Sequence, residues 1–285
     1  MMDKESVMES TGKAAALSGF GTLFRRAWEI YRARFNIFSL IFMLYLLPIL
    51  LISTLGFSVA KMLPHPLNPF VIAWIAAGAL MGVLISMWGQ VAFVYAVSGT
   101  EGIKEIAKTA SEKLFRFVWV YILFGVATVA GLVLFIIPGV VAMVWFSFSF
   151  FVLARGNARG LNALIESRRH VKGLWWEVFA RLFAVWSISF LLSFVPFVGS
   201  ALSIFFMPYM MIFTFLIYED LKKIKGELPA PTAAERKKWI LVFLVGLTIA
   251  SAVAVHTFKG FDFKTLSKLR GEPAKILNST LPGSI

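Results

Sequence analysis

VWVYILFGVATVAGLVLFIIPGVVAMVWFSFSFFVLA, running from Val118 to Ala154, is 37 residues without a single charge. A bilayer core of about 30 Å is crossed by about 20 apolar residues at helical rise. The stretch is too long to cross once and about right to cross twice. Pro138-Gly139 supplies the break: proline lacks a backbone donor and clashes with the preceding turn, and glycine allows a left-handed close. The segment therefore reads as a membrane-embedded helical hairpin with arms Val118–Ile137 and Gly139–Ala154.

The same reading applies on either side. Asn36–Ala60, Phe70–Ser98, Leu174–Val195, Phe197–Tyr218 and Trp239–Phe258 are further apolar stretches, seven in all, with Pro196 dividing the fifth from the sixth. The expected fold is all-α: a polytopic integral membrane bundle of three helical hairpins, or six spans, plus one appended C-terminal span. The first run begins late and contains Pro48, so it is expected to be a true span rather than a cleaved leader. Composition agrees, since 59% of the chain is hydrophobic against about 45–50% in soluble domains. The expected organisation is a polar segment 1–19, a six-span domain 20–225, a Pro- and Ala-rich linker 226–238, the seventh span 239–258 and a basic tail 259–285.

The connections alternate in charge. Twenty-one Lys and Arg precede the first span or occupy the second, fourth and sixth connections, whereas the first, third and fifth hold only Lys61. Positive charge is retained on the cytoplasmic side during insertion, so a plasma-membrane protein with a cytoplasmic N-terminus is expected. Seven spans put the C-terminus outside. Lys259, Lys264, Lys268, Arg270 and Lys275 in the tail argue the other way and leave open a re-entrant last segment. The net charge of +13 sits beside apolar spans, where anionic headgroups account for it better than nucleic acid does.

The basic connections are patterned. Ile103, Ile106, Ala107, Ala110, Leu114 and Phe117 recur at helical spacing between Glu101 and Phe117, with Lys104, Lys108, Lys113 and Arg116 opposite. Phe20, Leu23, Phe24, Ala27 and Tyr31 against Arg25, Arg26 and Arg32 read alike, as do Leu161, Leu164 and Ile165 beside Arg168, Arg169 and Lys172. Amphipathic helices in the headgroup layer are expected, one before each hairpin. A Trp precedes a Pro by about the same distance in each unit (Trp28 and Pro48, Trp119 and Pro138, Trp176 and Pro196), as an internal repeat would.

Ile136-Ile137-Pro138-Gly139-Val140, the aromatic-rich span after it, Ala163-Leu164-Ile165-Glu166-Ser167, Val171-Lys172-Gly173-Leu174-Trp175 and Val178-Phe179 form an ordered series. It resembles the membrane domain attached to some bacterial glycerophosphoryl diester phosphodiesterases, and related uncharacterised multi-span families, over roughly Phe20 to Lys225. Those enzymes carry catalysis in a separate soluble domain with His-Arg-Gly and acidic metal-binding motifs, which this sequence lacks. The resemblance therefore implies a stand-alone membrane domain. One departure is Arg155-Gly156, where the family has an acidic residue before the glycine.

Candidate chemistry is sparse. There is no cysteine, and His65, His170 and His256 are far apart, so thiol chemistry is excluded and a zinc site, which needs three or four ligands, is not expected. Within the spans, Gln90 and the Glu177–Arg181 pair at i,i+4 stand out, since charge in a bilayer is costly. Arg181 could snorkel to the interface or hold a lipid phosphate. Arg25, Arg26, Arg32, Lys108, Arg116, Arg168, Arg169 and Lys172 are the candidate lipid contacts. No nucleophile–base set appears, so the expectation is a non-catalytic scaffold or accessory protein without a cofactor. It would contact anionic lipids or a protein partner and no nucleic acid. A small transporter or lipid-translocating protein is the alternative.

Overall fold

The computed structural model describes residues 17–62, 69–99, 102–156, 158–195 and 199–259. Among them every regular element is helical: α1 Phe20–Ala33, α2 Phe35–Met62, α3 Pro69–Ser98, α4 Ile103–Leu134, α5 Ile136–Phe146, α6 Ser149–Arg155, α7 Leu161–Val171, α8 Trp175–Ser193, α9 Gly199–Lys225 and α10 Ala233–Lys259. Five stretches are long and apolar enough to cross a membrane: Phe35–Gly56, Ala73–Ser98, Ile103–Leu134, Ile136–Arg155 and Trp175–Ser193. The chain is a multi-pass helical membrane protein. The sixth and seventh expected spans fall on α9 and α10. Lys259 of the expected tail ends α10; the rest of the tail and the proline Pro196 lie outside the described residues.

The opening hairpin is present, with its break displaced. The chain leaves helical geometry at Phe135 (φ −165°, ψ 156°), and Pro138 lies in the first turn of α5. Proline is tolerated there because the first N–H groups of a helix have no partner anyway. Gly139 permits the close approach of the arms: a Cβ on Gly131 would lie 2.8 Å from the Gly139 Cα. The second arm is itself broken at Ser147–Phe148, between α5 and α6.

The expected amphipathic helix before this hairpin is not a separate element. Ile103 through Phe117 are the first turns of α4, continuous with the span. No proline or glycine stands between Arg116 and Tyr121, so nothing interrupts the backbone ladder. At 32 residues and about 1.5 Å rise each, α4 outruns the bilayer and projects from it. α1 and α7 are separate, but their apolar faces meet protein. Leu23, Ala27 and Tyr31 are buried on α1, and Phe24 packs on Tyr209 of α9 with ring centroids 5.1 Å apart. In α7, Leu164, Ile165 and Val171 are buried. The three prolines are also not equivalent, since Pro48 lies within α2 and Pro138 begins α5.

The packed core sits toward one end. Val91 to Val97 of α3, most of Tyr209 to Leu221 of α9, most of α6 and one face of α7 are buried. At the other end Leu47, Leu55, Leu80, Phe135, Ile136, Leu191 and Phe194 are exposed, as lipid-facing side chains would be. The helix after the linker joins the bundle: Gly246 of α10 meets Ala130 of α4, and Trp239 lies edge-on to Phe146 at 5.8 Å. It begins earlier than the linker boundary expected at 238, because Thr232 caps it. The Thr232 hydroxyl accepts from the Glu235 N–H (3.3 Å), and the Glu235 carboxylate accepts from the Thr232 N–H (3.2 Å), a capping box.

Candidate functional site

The basic connections converge at the packed end and are tied to one another there. The C-terminal carbonyls of α3, left without helical partners, are taken by two arginines. Arg34, between α1 and α2, donates to the Ala96 and Gly99 carbonyls. Arg155, ending α6, donates to the Ser98 carbonyl (3.0 Å from Nε), pairs with Glu219 of α9 at 3.3 Å, and stacks over Phe215. Lys225 donates to the Lys172 carbonyl at 3.0 Å. One end of the bundle thus gathers the segments around residues 34, 99, 155, 172 and 225.

Two adjacent arginines of α7 hold the linker and α10. The Arg168 guanidinium lies between two indoles, 4.7 Å from the Trp145 ring centroid and 5.1 Å from that of Trp239. Arg169 donates to the Pro229 carbonyl at 2.7 Å and pairs with Glu235. The Glu235 carboxyl is held below the usual glutamate range, first by the Thr232 backbone N–H and then by Arg169. These two candidates are structural ties in this arrangement, not open lipid contacts.

Arg181 is similarly engaged. Its guanidinium donates to the carbonyls of Leu17 (3.2 Å) and Ser18 (3.0 Å) and to that of Glu177 (2.8 Å). The Glu177 carboxylate is 3.7 Å away, the expected i,i+4 pair. Asp220 completes the clamp by accepting from the Ser18 N–H at 3.2 Å. The segment leading into α1 is therefore gripped between α8 and α9, which leaves Arg181 few free donors for a lipid phosphate.

Gln90 accepts a hydrogen bond from the Tyr121 hydroxyl, joining α3 to α4. It also lines a cavity of about 700 Å³ between α2 and α3, with Ser53, Gly56, Gly78, Gly82 and Ser86. Of the remaining candidates, Arg25, Arg32, Lys108, Arg116 and Lys172 are exposed, and Arg26 is half-buried. Arg25 pairs along its own helix with Glu29 at 3.8 Å.

Sequence reading missed two groupings. Arg155, Asn162, Glu166, His170, Tyr218, Lys222 and Glu227 line a polar cavity of about 350 Å³ beside the linker. His170 is 1% exposed, and its Nδ1 has no hydrogen-bond partner among the described residues. Lys113, Arg116 and Arg159 line a second, smaller cavity. Their members come from elements far apart in the chain, and only the i,i+3 and i,i+4 spacings within α4 and α7 hinted at them. Among the described residues no cluster of His, Asp and Glu has the grouping a metal ion needs. Comparison with known proteins returns nothing to set beside this geometry: no family model, no curated protein and no solved structure matches the chain.

Proposed function

We propose that the chain is a non-catalytic scaffold or accessory protein of the plasma membrane whose basic end lies at the cytoplasmic surface and engages anionic lipid. The observation that carries this reading is the gathering of the basic connections at one end, with Arg25, Arg32, Lys108, Arg116 and Lys172 exposed around it. Each such cation near an anionic surface contributes about 1 kcal/mol, so several together hold the end in the headgroup layer. On this reading the N-terminus is cytoplasmic and the tail beyond α10 is outside. The role is that of a membrane domain of the kind it resembles, and this chain supplies no phosphodiester hydrolysis of its own.

Native mass spectrometry of the chain extracted from mixed bilayers tests this. Retention of phosphatidylglycerol over phosphatidylcholine is expected, weakening with salt. Equal retention of both lipids would remove the proposal. Lipid translocation is a second reading, favoured by the cavity between α2 and α3 with Gln90 on its wall. Reconstituted vesicles that move a labelled phospholipid between leaflets, and lose this with Gln90→Leu, would favour it over the scaffold.

A further inference from the structure

We propose that Lys113, Arg116 and Arg159 form a pocket for a single phosphate group. The inference rests on the anionic-lipid reading above and gives it one address. The cavity, about 130 Å³, is bounded by the basic start of α4, Tyr95 of α3, the end of α6, and Gly156, Ala158 and Arg159. It is well below the about 300–1,000 Å³ of a site for a whole drug-sized ligand, which suits a headgroup phosphate rather than a nucleotide. Lys113 and Arg116 lie one turn apart on α4 and so share a face. Gly160, with φ +53°, turns the chain into α7 and brings the residues before it to that face.

Among the described residues no carboxylate lines this cavity. Arg34, Arg155, Arg168, Arg169 and Arg181 at the same end are held by carbonyls, carboxylates or indoles. The neighbouring polar cavity balances Arg155 and Lys222 with Glu166 and Glu227. Around the smaller cavity, by contrast, Arg116 and Arg159 have no ion pair among the described residues, and Lys113 only rests over the Tyr95 ring at 5.1 Å. Three like charges around one space repel one another unless an anion sits between them. Guanidinium groups match phosphate in a bidentate fork, and an ammonium adds a point charge. Retention of positive charge during insertion explains basic residues at this end but not their convergence on a cavity.

The phosphate could come from a lipid headgroup or from solution, and the two are separable. The full chain is placed in phosphatidylcholine nanodiscs, alone or with phosphatidylglycerol. The first arm counts tightly retained phosphatidylglycerol by native mass spectrometry, and the second titrates inorganic phosphate into the lipid-neutral discs. The variants are Arg116→Ala/Arg159→Ala and, as a control of equal charge outside the pocket, Arg236→Ala/Lys237→Ala. All four side chains are exposed, so neither pair should disturb folding, and Arg159→Glu provides a further variant.

One retained lipid per chain is expected, or saturable phosphate binding. The pocket variants should weaken it about tenfold or more, as loss of a charge-assisted hydrogen bond does, and the control should not. Binding in the first arm alone assigns the phosphate to lipid, and phosphate binding in the second assigns it to a solute. Equal losses in both pairs overturn the pocket and leave the diffuse lipid reading intact. No binding by the wild type in either arm overturns both.

Discussion

Arg168 and Arg169 are neighbours in sequence with different chemistry, and each makes a separate prediction. Arg168 has its charged plane between Trp145 and Trp239, contacts worth about 0.5–2 kcal/mol. Arg168→Ala should lower thermal stability in detergent by that order, and Arg168→Met should recover packing but not the cation–π part. Arg169 acts through Glu235. The Glu235 carboxyl is held below the usual range by the Thr232 N–H and Arg169, so the folded value lies under the unfolded one. Its contribution is therefore complete above the ordinary glutamate value of about 4.3 and is lost as pH falls through the folded value. The stability gap between wild type and Glu235→Gln, measured by thermal unfolding, should be constant near neutrality and close in acid. A gap that widens in acid would contradict the assignment.

Among the elements, α4 and α5 pack backbone against backbone where they meet. Gly131 has the Gly139 backbone where a Cβ would go, at 2.8 Å. Small residues let membrane helices approach in this way. Gly131→Ala must push the arms apart, and overpacking of this kind costs about 1–3 kcal/mol. Gly125→Ala on the same helix meets open space and should be neutral or slightly stabilising, since alanine is the better helix former; an equal loss at both positions would contradict the assignment of the Gly131 effect to the crossing.

The existence of this hairpin was legible from 37 uncharged residues, because span length is fixed by the bilayer. Its turn was not, because proline suits a helix start as well as a helix end, and nothing local distinguishes Phe135 from Pro138. The union of the basic segment 103–117 with the span was also hidden: amphipathic periodicity reports a face and not where a helix stops. The start of α10 was readable in Thr232-Ala-Ala-Glu235, a capping signature that the linker's prolines obscured. Gln90 and the Glu177–Arg181 pair were visible as polar residues in apolar runs. The partners that define them, Tyr121 and the carbonyls of Leu17 and Ser18, are set only by tertiary packing. The three cations of the small cavity share no local pattern at all.

At the scale of the whole molecule, the basic connections form one surface, since Arg34 and Arg155 meet the end of α3, Lys225 meets Lys172 and Arg169 meets the linker. That geometry requires these connections to lie on a single side of the membrane whichever side it is, and the proposed orientation, argued from the charge rule, makes that side the cytoplasm. With no native cysteine, single substitutions Arg32→Cys, Lys108→Cys and Lys172→Cys give clean probes at exposed positions. All three should resist an impermeant thiol reagent in intact cells and react after lysis. If one differs from the others, the shared surface is wrong; if all three react in intact cells, the surface stands and the orientation inverts. Ser284→Cys then addresses the tail separately. α10 starts at the basic end, where Arg169 holds Glu235, so a crossing by α10 carries Ser284 to the opposite side and makes it reactive in intact cells. Protection of Ser284→Cys together with the other three would mean that α10 turns back within the membrane, which would also place the tail's five basic residues beside the rest.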